Sequence, residues 1–219
     1  MSKLAGILWD MDGTLVDSGD LHFQSWLDTL PKYGLSISRE LFNETFGMRL
    51  DEIIRVMFQE KYPPELVQTI GAEKEASFRE SMPGKLQPLP GVKKLIKLFK
   101  EANIPQAVAS SAPQENVDAI MAELNFSPDF QAVVCAVNMP GKPDPSVFLA
   151  AAKAIQALPQ ECIVIEDATH GIEAAKRAGM KCVAVTSNYP AHKLAEADIV
   201  VDRLDELGLK DFEDLINQG

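Results

Sequence analysis

From about residue 90 onward the chain alternates two kinds of apolar pattern. Short apolar runs at residues 106–109, 132–136, 162–165, 182–186 and 198–201 read as strands. Between them the spacing is helical. Val92, Leu95, Ile96 and Phe99 share one face of a helix opened by Pro90, and Val117, Ile120, Met121 and Leu124 do the same after Pro113. Pro145 opens a third helix, and residues 169–180 form a fourth that stops at Gly179-Met180. Strands and helices in regular alternation predict parallel strands joined by crossover helices.

Residues 14–90 break this rhythm and contain no expected strand. Leu50, Ile53, Ile54, Met57 and Phe58 follow the helical i, i+3, i+4, i+7, i+8 spacing of a packed stripe. Pro63-Pro64 punctuates before Leu66, Val67 and Ile70. The expected organisation is an α/β core of residues 1–15 and 85–219, with residues 16–84 as a helical cap. The core is a doubly wound, mostly parallel, Rossmann-like sheet. Linkers are expected at 14–17 and 82–90, where Pro83, Gly84, Pro88 and Pro90 collect. Ligands of doubly wound sheets bind beyond the carboxyl ends of the strands. The inserted cap domain would therefore lie over the loop that follows the first strand.

That loop carries the chemistry. The apolar run at residues 4–9 leads straight into Asp10-Met11-Asp12-Gly13-Thr14. Carboxylates this close resist being ionised together. They call for a cation, a shared proton or a division of labour in which one attacks or binds metal and the other moves a proton. Gly13 and Thr14 add backbone N–H groups and a hydroxyl suited to an anion. Other strand ends add Ser110 or its neighbour Ser111, Lys142 within Pro140-Gly141-Lys142-Pro143-Asp144-Pro145, and Glu166-Asp167. Hard oxygen ligands of this kind suit magnesium.

Composition narrows the partners. A net charge of −11 with no basic run argues against a nucleic-acid surface. No apolar run reaches membrane-spanning length, and Met-Ser-Lys-Leu-Ala-Gly lacks a signal-peptide apolar region, so no membrane partner and a cytoplasmic location are expected. Cys135, Cys162 and Cys182 lie far apart in apolar runs, as buried reduced thiols do. The expected assembly is a monomer or weak homodimer.

The chain resembles the haloacid dehalogenase-like hydrolase superfamily, in the branch of phosphoglycolate phosphatase-like enzymes and β-phosphoglucomutase. Asp10-Met11-Asp12-Gly13-Thr14-Leu15-Val16-Asp17 is similar to the first motif, and Ser110, Lys142 and Glu166-Asp167 to the other three. Glu166-Asp167-Ala168-Thr169-His170-Gly171-Ile172-Glu173-Ala174-Ala175, with Ala178-Gly179-Met180, is specific to this branch. The resemblance implies that Asp10 attacks phosphorus to form an aspartyl-phosphate. Asp12 would protonate the leaving alcohol and then activate water, while Ser110 and Lys142 hold the phosphoryl group. Magnesium would be held by Asp10, the backbone carbonyl of Asp12 and Asp167, with Glu166 a ligand through water or an outer acid. In the cap, His22, Arg49 and Lys74 resemble positions that reach substrate. His170 is expected to pack or cap its helix, and His192 to lie in a surface turn.

The expected activity is that of a magnesium-dependent phosphatase acting on a small phosphorylated metabolite such as a sugar phosphate. β-Phosphoglucomutase, which returns the phosphoryl group to its substrate, is the alternative. A non-catalytic binding module and a phospho-accepting receiver-type module are further readings. A receiver, however, needs neither Asp12 nor a lid.

Overall fold

The computed structural model describes residues 4–58 and 63–218, apart from the side chains of Met57 and Phe58. Strand β1 (Gly6–Trp9) is the first apolar run. Its period of two sends Ile7 and Trp9 to one face of the sheet and Leu8 to the other, all three fully buried. The chain then leaves the sheet through a short strand, β2 (Val16–Asp17), into four helices: α1 (Gly19–Thr29), α2 (Arg39–Thr45), α3 (Leu50–Phe58) and α4 (Pro64–Ser81). It returns through β3 (Gln87–Pro88) and α5 (Val92–Glu101).

The remaining elements alternate as the periodicity predicts: β4 (Gln106–Ser110), α6 (Gln114–Glu123), β5 (Ala132–Cys135), α7 (Ser146–Ala154), β6 (Cys162–Glu166), α8 (Thr169–Arg177) and β7 (Lys181–Val185). Strand β8 (Ile199–Val201) and helix α9 (Leu209–Ile216) close the chain. Six strands form one sheet in the order β5-β4-β1-β6-β7-β8, every pairing parallel. The chain winds outward from β1 to β4 and β5, then crosses back to β6 on the other side of β1. That reversal opens a crevice at the carboxyl ends of the central strands.

Both faces of the sheet are covered, which is why its strands read as continuous apolar runs. On one face lie Val92, Leu95, Ile96 and Phe99 of α5, Val117, Ile120 and Met121 of α6, and Phe212, Leu215 and Ile216 of α9. The other face takes Val147, Phe148, Ala151 and Ala152 of α7 and Ile172, Ala174 and Ala175 of α8. Each fully buried large side chain contributes roughly 1.5–3 kcal/mol from burial. The insertion has a separate apolar cluster around Trp26, Leu30, Phe42, Phe46, Ile54 and Ile70. It is thus a second, helical packing unit on the α/β core.

Two features depart from the sequence expectation. No strand was expected between residues 14 and 90, yet Val16 pairs with Pro88 and Asp17 with Gln87, antiparallel, at the base of the insertion. Two residues per strand are too few for alternation to show, and the pairing exists because both connections pass the same point. Helix α9 was also not expected, although Leu209, Phe212, Leu215 and Ile216 have helical spacing. Of the expected α3 stripe, Met57 and Phe58 lie outside the described side chains. The three cysteines are free, with Cys162 and Cys182 buried and Cys135 half-buried on the edge strand β5. Among the described residues no helix is long and apolar enough to cross a membrane.

Candidate active site

Asp10 follows the last residue of β1, and its backbone N–H donates to the carbonyl of Ile165 on β6 at 2.9 Å. Lys142, from the loop after β5, donates to Asp10 Oδ1 at 2.5 Å and to Glu166 Oε1 at 2.8 Å. The other oxygen of Glu166 accepts the backbone N–H groups of Asp167 and Ala168, both at 2.7 Å. Its carboxylate therefore ties Lys142 to the start of α8. Gly171, one turn into that helix, leaves room for it: a Cβ there would lie 1.7 Å from Glu166 Oε1.

Asp167 is held from two sides. Thr14 Oγ1 donates to Oδ1 at 3.0 Å, and Asn188 Nδ2 donates to Oδ2 at 2.5 Å. Gly13 adopts a φ of +85°, and a Cβ on it would meet Asp167 Oδ2 at 2.4 Å. Glycine is needed there for conformation and for space. Thr14, expected to cradle an anion, instead spends its hydroxyl on Asp167 and is fully buried.

Asp10, Glu166 and Asp167 each bring one carboxylate oxygen within 4.8 Å of the others. One lysine cannot offset three buried acids. Burial, reinforced by Glu166 and Asp12 against Lys142, pushes the Asp10 carboxyl up to about 8. Burial, with Glu166 and Asp10, also holds Asp167 well above the usual range. Burial alone would depress Lys142, but its two carboxylate partners outweigh this and raise it, so the ammonium stays charged. Such a surplus of hard oxygen donors fits a magnesium ion. Glu166 accepts three hydrogen bonds, one of them from an ammonium, against one at Asp10 and two from neutral groups at Asp167, so Asp10 and Asp167 keep more lone pairs for direct ligation.

Asp12 sits on the cap side. It accepts from Ser18 Oγ at 2.6 Å, and His22 Nε2 lies 3.2 Å from the same oxygen, Oδ1. Burial would raise Asp12, but His22, Ser18 and Lys74 outweigh it and hold the carboxyl below its usual value. The two aspartates are thereby driven apart in proton affinity, but with no cation present the proton is held by Asp10 and not Asp12. That is the reverse of the order an Asp10 nucleophile beside an Asp12 acid needs, so a cation at Asp10 is required to ionise it. Ser18 occupies the N-cap of α1 yet makes no side-chain cap bond. A serine cap contributes about 1 kcal/mol to a helix, and here the hydroxyl is directed to Asp12 instead.

Behind Asp12, Lys74 Nζ lies 2.7 Å from His22 Nδ1 and donates to Glu75 Oε1 at 3.0 Å. The His22 ring stacks on Phe78, with centroids 3.8 Å apart. Because the ammonium of Lys74 can only donate, Nδ1 is the acceptor and Nε2 carries the proton that faces Asp12.

These groups meet at a cleft that is partly open to solvent. Asp10, Asp12, Ser110 and Ser111 line its reacting end; Lys142 and Asp167 stand behind it. Ser110 Oγ accepts the Ala112 N–H at 3.0 Å, whereas Ser111 Oγ is buried with no partner among the described residues. Of the three cap residues expected to reach substrate, His22 and Lys74 line the cleft and Arg49 does not. The Arg49 guanidinium donates to the Met139 carbonyl, in the loop that carries Lys142, and to Asp51. His170 packs against Gly47, and His192 is exposed in the turn after β7. Sequence pattern gives no sign of Asn188, Glu75 or Asn116. Ser18, in contrast, could have been noticed as a polar residue one turn before His22.

The chain belongs to the haloacid dehalogenase-like hydrolase family, whose profile matches residues 7–185. It is 30% identical over 213 residues to the chloroplastic 5-amino-6-(5-phospho-D-ribitylamino)uracil phosphatase of Arabidopsis thaliana, covering 96% of this chain but only 57% of that protein's length. It is also 30% identical to the β-phosphoglucomutase of Bacillus subtilis, over 94% of this chain and 93% of the relative. Among solved structures, the β-phosphoglucomutase of Clostridium difficile superposes with a TM-score of 0.88 at 25% identity, covering 99% and 98% of the two chains.

Proposed function

We propose that this protein is a magnesium-dependent phosphatase of small phosphorylated metabolites, sugar phosphates foremost, working through an aspartyl-phosphate on Asp10. The observation that carries the reading is the opposed pair at one cleft wall, Asp10 against Lys142 and Asp12 against His22 and Ser18. In the first step an Asp10 oxygen attacks phosphorus, the bond from phosphorus to the leaving oxygen breaks, and Asp12 delivers a proton to that oxygen. In the second, Asp12 takes a proton from water as the water oxygen attacks phosphorus, which frees Asp10 and inorganic phosphate. Ser110 and Ser111 hold the phosphoryl oxygens, and Lys142 offsets the charge of Asp10. Asp10, the Asp12 carbonyl and Asp167 would hold magnesium, which would supply the positive charge that phosphoryl transfer needs.

Within this reading, residues 16–84 form the cap and residues 1–15 with 85–219 the catalytic core. The mutase relatives support a second reading, in which the same Asp10 returns its phosphoryl group to the substrate. The test is phosphate release across a panel of phosphorylated metabolites with magnesium, beside Asp10→Asn, while glucose 6-phosphate formation from β-glucose 1-phosphate is followed separately. Release that vanishes in Asp10→Asn supports the phosphatase. Glucose 6-phosphate without net release would make the protein a mutase. Turnover of neither kind would refute both.

A further inference from the structure

Beside Asp10, Asp12, Ser110 and Ser111, the cleft is lined by Trp26, Phe42, Phe46, Leu50 and Ile53, with Lys74 and Glu75 as its further charged groups. Lys74 and Glu75 are 4% and 7% exposed, so neither charge is relieved by bulk water. Lys74 is already spent. It donates to Glu75 Oε1 at 3.0 Å, and its Nζ lies 2.7 Å from His22 Nδ1. The second oxygen of Glu75 accepts Asn116 Nδ2 at 2.6 Å, and Asn116 Oδ1 in turn accepts from Arg79 at 2.7 Å. This bond joins cap helix α4 to core helix α6 and fixes the carboxylate at the cleft wall. Arg79 is likewise committed to Asn116, and Arg49 lies outside the cleft. Among the described residues that line the cleft, the one Lys or Arg is Lys74, and a carboxylate already matches it.

We infer that Glu75 is a specificity residue, selecting phosphomonoesters of neutral hydroxylated alcohols and rejecting substrates with a second phosphoryl group. Carboxylate lone pairs left by Lys74 and Asn116 accept hydrogen bonds from hydroxyl groups, while the rings of Trp26 and Phe42 cover carbon. A second phosphoryl dianion at the same place meets the Glu75 carboxylate and finds no lysine or arginine in the lining except Lys74, which that carboxylate already holds. This inference rests on the phosphatase reading and sharpens it. Moving a phosphoryl group between two hydroxyls of one sugar requires a moment when both are phosphorylated, so the Glu75 wall favours hydrolysis over transfer.

The test compares kcat/KM for the best monophosphate of the panel with that for the same sugar carrying two phosphoryl groups, fructose 1-phosphate against fructose 1,6-bisphosphate being the first pair. Wild type is expected to prefer the monophosphate by about tenfold or more. Glu75→Gln, which keeps the shape and loses the charge, is expected to shrink that preference by about tenfold. Lys74→Met, which leaves Glu75 uncompensated, should widen it. Each ratio is internal to one preparation, so loss of folded protein cancels. Equal turnover of both substrates by wild type, or an unchanged ratio in Glu75→Gln, would overturn the inference while leaving the phosphatase standing. Absence of phosphate release from every monophosphate would overturn the phosphatase reading and the inference with it.

Discussion

Gly171→Ala adds one carbon and should disable the site from a residue that bears no chemistry. The added Cβ would lie 1.7 Å from Glu166 Oε1, 2.0 Å from its carboxyl carbon and 2.6 Å from Oε2. Glu166 cannot swing aside freely, because its oxygens hold Lys142 at 2.8 Å and two backbone N–H groups at 2.7 Å. Either those bonds break or the start of α8 shifts, carrying Asp167 with it. Breaking one side of a buried charge pair costs about 3–5 kcal/mol. For a chain of this length that corresponds to a fall in Tm of roughly 6–20 °C.

Thermal unfolding of Gly171→Ala is the assay, with Gly19→Ala as control, because a Cβ on Gly19 meets only Asn188 Oδ1 at 3.8 Å. The decisive comparison is a double-mutant cycle with Glu166→Ala. If the clash with Glu166 is the cause, Gly171→Ala costs little once Glu166 is truncated, and the two effects are strongly non-additive. Additive effects, or a Gly171→Ala protein that melts within a few degrees of wild type, would refute the reasoning.

Other outcomes follow from the charges. Asp10→Asn should abolish phosphate release and, in magnesium-free buffer, raise Tm, because it removes one of three buried, clustered acids that have a single lysine, Lys142, among them. Asp10 is raised from 3.8 to about 8 by burial, so between those values the unfolded chain releases a proton that the folded chain keeps. Its stabilising contribution is complete below pH 3.8 and is lost as pH rises toward 8. Melting curves of the metal-free protein at pH 5 and pH 8 should therefore show a fall in Tm that is smaller in Asp10→Asn; equal falls would contradict this. Asn188→Ala should weaken magnesium binding about 10–100-fold by freeing Asp167 Oδ2, as read by calorimetric titration of the metal-free protein. Ser18→Ala should lower kcat by about tenfold or more, since one Asp12 donor is lost, with little change in Tm; an unchanged kcat would remove Ser18 from the machinery.

What was legible in the sequence is what short-range order encodes. The apolar runs of β1, β4, β6 and β7 are buried on both sides, so composition alone marks them. Asp10, Ser110, Lys142 and Glu166-Asp167 could be picked out because each sits at or just beyond a strand end, where a parallel sheet gathers its loops. What stayed hidden depends on distance in sequence. The β2–β3 pair brings together residues about 70 positions apart, with no alternation to announce it. Asn188 meets Asp167 across 21 residues and Asn116 meets Glu75 across 41, and polar residues of these types are common in any loop or helix. Arg49 resembled a substrate ligand by position, but the docking of the cap turns its guanidinium toward the Met139 carbonyl. Only the packing of cap on core decides which charged side chains enter the cleft.

The two units each bring too little positive charge. The core sets Lys142 against Asp10, Glu166 and Asp167, and the cap sets Lys74 against Asp12 and Glu75. If all seven groups are ionised the site carries a charge of −3, and a phosphate ester arriving as a dianion would be repelled. The geometry leaves one place to correct this. Lys142 and Lys74 are each already paired with a carboxylate, the Arg49 guanidinium is turned to Met139 and Asp51, and Arg79 is bound to Asn116. Among the described residues, the carboxylates of Asp10 and Asp167 are the place that can accept a cation without breaking an existing ion pair of the cap. Substrate affinity is therefore expected to depend on magnesium far more steeply than on Lys74. Equilibrium binding of inorganic phosphate to the wild-type protein, with and without magnesium, would measure that directly. Phosphate bound equally well in both conditions would show that the protein's own groups suffice and that the charge argument fails.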